Sequence, residues 1–106
     1  MAISSINRGN IMNEKSKTIV SQVVAEYNHL IKNLKKGKSA SLICHIGGRE
    51  FKLVGGMGKL AEDFFSIDCL DEKGNEQRLF ANMHHVYFTI TLFDDDKLPV
   101  QIGFAQ

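Results

Sequence analysis

At Gly37 the spacing of apolar residues changes period, and that change decides most of what this chain of 106 residues can become. Upstream, Ile19, Val20, Val23, Val24, Tyr27, Leu30, Ile31 and Leu34 recur every three or four positions, which lines one stripe of an amphipathic helix. The stripe predicts a helix over residues 13–36. Asn13 suits its N-cap, Glu14 the positive end of its dipole, Lys32, Lys35 and Lys36 the negative end, and Gly37 a left-handed C-terminal cap. Residues 1–12 carry no periodicity and read as a flexible tail, leaving 13–106 as a single helix-plus-barrel domain.

Downstream the period becomes two. In SASLICHI, Leu42, Cys44 and Ile46 alternate with Ile43 and His45, and Gly47-Gly48 follows as a two-residue hairpin signal. The next strand, REFKLVGGMGKL, has Gly55, Gly56 and Gly58 in its middle, the mark of a bend or bulge. DFFSIDCL, EQRLFAN and HHVYFTITLF read as third, fourth and fifth strands, with the turn DEKGN between the first two of these. LPVQIGF can add a short sixth through Val100, Ile102 and Phe104. The expected class is α+β: an N-terminal amphipathic helix followed by a strongly bent five- or six-stranded antiparallel small barrel.

Hydrophobic content of 43% and charged content of 24% belong to a globular chain rather than a disordered one. MAISSINRGNIMNEKSK lacks the apolar run of a signal peptide, and no stretch reaches the roughly 18 apolar residues of a membrane span. A cytoplasmic protein without membrane contact is expected. Cys44 and Cys69 stand apart in apolar surroundings, which favours buried reduced thiols over a disulfide or zinc ligands.

The net charge of +1 hides an asymmetry. Residues 1–59 hold ten Lys/Arg against three acids, a balance of +7; residues 60–106 hold three against nine, a balance of −6. Such a split marks either a face for polyanions or two faces that meet between subunits of an oligomer.

The segment from Ser41 to Ile90 resembles the Sm-like barrel family, which includes bacterial Hfq. Gly47-Gly48, Gly56 to Gly58 and Glu62-Asp63 fall where that family carries its hairpin glycine, its second-strand bend and the acid before its third strand. The corner Met83-His84-His85-Val86 is similar to the family's Sm2 region, with His84 and Val86 at its histidine and apolar positions. Asn82 and Met83 stand where Hfq has tyrosine and lysine. A second resemblance, through Gly47-Gly48-Arg49 and Gly58-Lys59-Leu60-Ala61-Glu62, is to the Firmicute Veg family and implies a related barrel. The Sm-like resemblance implies a small barrel of Sm-like or SH3-like type whose corner faces a pore where a base or phosphate docks.

Adjacent histidines on a regular strand point to opposite faces, so His84 and His85 do not share a metal, and no ligand spacing elsewhere supplies one. One is expected at the surface or a subunit edge, the other hydrogen-bonded under the rim. Neither Cys44-His45 nor Ser41 or Ser66 has a catalytic partner at a recognisable spacing, and GGMGK lacks the phosphate-loop pattern. A non-enzymatic protein with no cofactor is expected.

Lysines at the helix end and basic residues beyond the hairpin suit phosphates. The expected nucleic-acid contacts are Lys35, Lys36, Lys38, Arg49 and Lys52 for charge, with Asn82, His84 and Tyr87 for specific recognition. Phe64, Phe65 and Phe80 are available for stacking but are expected in the core. The helix stripe, through Val20, Val24, Tyr27 and Ile31, is expected to leave surface for self-association. The expected protein is therefore an oligomeric barrel that binds RNA or a nucleotide ligand. Its alternatives are a protein-interaction module, such as a regulator or phage-type inhibitor, and a sponge that sequesters a small nucleotide signal.

Overall fold

Ile19–Lys32 forms the helix α1 in the computed structural model, which describes residues 19–105. The expected helix start at Asn13 and the tail over residues 1–12 lie outside the described residues. Val20, Val24 and Tyr27 are buried on its inner face, so these three join the core and offer no surface for self-association. The helix stops four residues before the sequence-based boundary. Asn33 explains the early stop: its backbone N–H donates to Leu30 O at 3.1 Å and its Nδ2 to His29 O at 2.9 Å, which satisfies carbonyls that another turn would have used. Gly37, with φ +84, turns the chain into the first strand instead of capping the helix.

Six strands follow: β1 (Lys38–Ile46), β2 (Arg49–Lys59), β3 (Phe64–Leu70), β4 (Glu76–Asn82), β5 (Tyr87–Asp94) and β6 (Gly103–Ala105). The protein is α+β, one helix on one six-stranded, mainly antiparallel sheet with the order β4-β3-β2-β1-β5. No pairing joins β4 to β5 among the described residues, so the sheet is open at both ends. The β1–β2 hairpin turns through Gly47 and Gly48 at φ +55 and +80, a pair of left-handed conformations that side chains resist.

The glycine-rich centre of β2 is a bend. Register against β3 shifts between Leu53 and Met57, and the strand changes partner there: β1 pairs with Arg49 to Lys52, whereas β6 pairs with Gly56 to Gly58. The sixth strand is shorter than expected and runs parallel to β2, because the chain crosses back over the fold before it arrives. Helix α1 holds that crossing. The Tyr27 hydroxyl lies 2.7 Å from Val100 O and 3.3 Å from Ala40 O, while Asn28 makes two bonds to the backbone of Ile102, itself in the core.

The inward row Ala40, Leu42, Cys44 on β1, Phe51, Leu53 and Met57 on β2, and Phe65, Ile67 and Cys69 on β3 makes the core under the helix. Burial pushes the Cys44 thiol up to about 12, reinforced by the neighbouring Cys69, whose own thiol is also raised. Both cysteines are free and buried. Phe65 is buried as expected, but Phe64 and Phe80 are 47% and 62% exposed. The period-two rule accounts for the correction: Phe64 and Phe65 are neighbours on a strand, so only one can face the core.

Candidate nucleic-acid interface

The fold distributes the eight expected contact residues over four places. Lys38 opens β1 opposite Asp94, and Tyr87 opens β5 opposite His45. Lys38 and His45 are seven residue steps apart along β1, about 23 Å of extended chain. The lysine cluster and the Sm2-like corner are thus at opposite ends of the sheet.

At the lysine end, Lys38 pairs with Asp94, and Lys35 and Lys36 share a shallow cavity with Asp95, Asp96 and Lys97. Basic and acidic halves also meet at Arg49 and Glu72, 3.4 Å apart. Arg78 Nε lies 2.8 Å from Asp68 Oδ1 within the acidic half. Part of the charge asymmetry of the sequence is therefore resolved inside one chain, a third outcome beside a polyanion face and a contact between subunits. These exposed pairs add little stability, but they lower the field at each lysine and arginine they engage.

Arg49 and Lys52 differ by an odd number of residues and project to opposite faces of β2. Arg49 lies over the Phe51 ring at 4.9 Å, on the side of the core, whereas Lys52 is exposed on the outer side. The expected basic pair beyond the hairpin is not one patch.

The corner is a 3-10 turn, Met83–His85, rather than the beginning of a strand. Asn82 caps it, its Oδ1 accepting from His84 N–H at 2.8 Å, so the asparagine carbonyl is already engaged. His84 Nε2 lies 3.2 Å from Asp63 Oδ2, and both His84 and His85 are exposed. The strand argument against shared metal binding does not apply to a 3-10 turn. The described residues nevertheless contain no group of three or more His, Cys, Asp or Glu side chains placed to hold a metal ion.

Tyr87 sits in the most developed arrangement. Its ring stacks on that of His45 with centroids 4.4 Å apart and planes within 1° of parallel. His45 Nε2 in turn lies 2.8 Å from Thr89 Oγ1. Register places two rows on this outer face: Tyr87, His45 and Glu50, then Thr89, Ile43 and Lys52. Lys52 is a diagonal neighbour of His45, about 7–8 Å away at the backbone and within reach of a long side chain. Of the expected residues, the fold brings Tyr87 and Lys52 onto one surface. His45 and Thr89 were missed because each is unremarkable in its own strand, and only the β1–β5 register sets them beside Tyr87.

Two features outside the expected set also shape the surface. Phe64 and Phe80 are diagonal neighbours on the outer face of β3 and β4, with exposed Leu60 hydrogen-bonded through its backbone to Phe64. Beside the β2 bend, Asp68 is held by Arg78, whose hydrogen bond keeps the carboxyl below the usual range with help from the Gly56 backbone. No described helix is long and apolar enough to cross a membrane. Compared with protein-family models, curated proteins and solved structures, the chain matches none.

Proposed function

We propose that this chain is a non-enzymatic, Sm-like small-barrel module that binds RNA or a nucleotide ligand and associates with copies of itself. The observation that carries the reading is the outer face that exposed Tyr87 and Lys52 share across β5, β1 and β2, an aromatic surface for a base and, one row along, a cation for a phosphate. The strand order supports the Sm-like comparison, and the open edges of β4 and β5 supply surfaces for self-association. In this reading Lys35 and Lys36, in no ion pair among the described residues, attract the nucleic-acid backbone at the far end of β1, and His84 contacts ligand at the corner.

The test is light scattering during size-exclusion chromatography together with the 260 to 280 nm absorbance ratio, followed by titration of single-stranded RNA at several salt concentrations. An oligomer carrying ribonuclease-sensitive absorbance at 260 nm is expected. Lys52→Glu should reduce the salt slope by about 0.7 per lost phosphate contact on a single strand. A protein-like ratio and no salt-sensitive RNA binding would remove the proposal.

A second reading has its own observation. Leu60, Phe64 and Phe80 form an exposed apolar group beside the β4 edge, which suits a protein-interaction module. It predicts that Phe80→Ser changes assembly or partner binding and leaves RNA affinity unchanged.

A further inference from the structure

We infer that the Tyr87–His45 pair is a preorganised stacking platform for one base of a single-stranded nucleic acid, with His45 as the residue that positions the tyrosine. The inference rests on the nucleic-acid reading above and names the contact by which that reading operates. One face of the Tyr87 ring is covered by the parallel imidazole, yet the residue remains 64% exposed, so the other face is open to solvent. Parallel rings at 4.4 Å leave room for a third ring to continue the stack on that side.

Orientation is fixed from behind. The hydrogen bond between His45 Nε2 and Thr89 Oγ1 holds the imidazole upright on the sheet, and the imidazole holds the phenol. A ring already held in its bound orientation loses less conformational freedom when a ligand arrives. Tyr87 is also the first residue of β5, so a base seated on it lies at the end of that open edge rather than along its length.

The surroundings favour a nucleotide over a purely aromatic ligand. Lys52 stands on the same face and can meet a phosphate, and the exposed Thr89 hydroxyl lies beside the platform. Glu50, on the opposite side of His45 from Tyr87, disfavours a phosphate there and directs the backbone toward the Lys52 row.

The experiment uses the full chain and three probes: fluorescein-labelled ten-nucleotide single-stranded RNA, adenosine monophosphate, and ribose phosphate, which has no base. The chain has two tyrosines and no tryptophan, so emission excited at tyrosine reports Tyr27 and Tyr87 alone. Binding of RNA or adenosine monophosphate should quench part of that emission, and ribose phosphate should not. Tyr87→Ala should weaken RNA binding about tenfold and abolish the quenching. His45→Ala and Thr89→Val should weaken it several-fold while the urea midpoint stays within the range of ordinary surface substitutions.

RNA binding that survives Tyr87→Ala within twofold, or ribose phosphate binding as tightly as adenosine monophosphate, overturns the platform and leaves the nucleic-acid reading in place. Absence of RNA binding by the wild-type chain overturns both. If His45→Ala does not fold, Thr89→Val carries the test of positioning, and an unchanged affinity and quench in that variant overturns the role of His45.

Discussion

Asn28 brackets the backbone of Ile102, its Nδ2 donating to the carbonyl at 2.8 Å and its Oδ1 accepting from the N–H at 3.2 Å. One amide side chain thus satisfies both polar groups of a residue whose own side chain is in the core, 74 positions away in the chain. Together with Tyr27, one residue earlier, it binds the helix to the segment that leads into β6. Leaving the Ile102 groups without partners costs the desolvation of a part-buried amide, so Asn28→Ala should lower stability by about 1–3 kcal/mol. Urea denaturation followed by circular dichroism measures it, and truncation before Leu98 should be worse because Ile102 then leaves a cavity.

Gly55 marks the tightest point of the β2 bend. A Cβ placed there would meet Asp68 Cβ at 3.0 Å and Asp68 Oδ2 at 3.3 Å. Asp68 cannot easily swing aside, because Arg78 and the Gly56 backbone hold its carboxylate. Gly55→Ala is expected to destabilise by about 1–2 kcal/mol, in the range of overpacked sites. The double variant Gly55→Ala with Asp68→Gly, which removes the Cβ that the new alanine would meet, should cost less than the sum of the two single changes, and a double-mutant cycle reads the difference.

Acid should weaken the fold through two carboxylates. The hydrogen bond from Arg78 lowers the Asp68 carboxyl, and the Asn75 backbone N–H, foremost among several donors, lowers Asp71. A group depressed on folding stabilises above its unfolded value, about 3.9 for aspartate, and that contribution is lost as pH falls through the folded value. Stability should therefore be level from neutral pH down to about 4 and decline below it. Asp68→Asn should flatten part of that decline, so the gap between variant and wild type near neutrality narrows in acid. Urea midpoints across the pH series decide the matter.

The two thiols should be silent in the folded protein. With Cys44 raised to about 12 and Cys69 raised as well, almost no thiolate forms at mildly alkaline pH, and both sulfurs are buried. A chromogenic disulfide reagent should react with neither on the time scale of mixing and with both once denaturant is added. Fast labelling of the native protein would show that the β1–β3 core opens far more readily than its packing implies.

Much of the architecture is legible in the order of residues because local periods have local causes. The apolar stripe from Val20 to Leu34 can only be satisfied by a helix against a core, and the alternation from Leu42 to Ile46 only by a strand with one buried face. Gly47-Gly48 announces its own turn, and the glycines of β2 announce their own bend. Boundaries shift where a side chain competes with the pattern, as Asn33 does at the end of α1 and Asn82 does at the corner.

Tertiary structure alone decides what lies beside what. Lys38 and Asp94 are 56 positions apart, and their pairing follows from the β1–β5 register, which no single strand contains. That register, together with the β1–β2 pairing, sets His45 between Tyr87 and Glu50 and puts residues that are ordinary in isolation on one face. The direction of β6 likewise depends on a crossing held by Tyr27 and Asn28 from the helix. Periodicity is a property of neighbours in the chain, whereas a binding face is a property of neighbours in space, and only folding converts the first into the second.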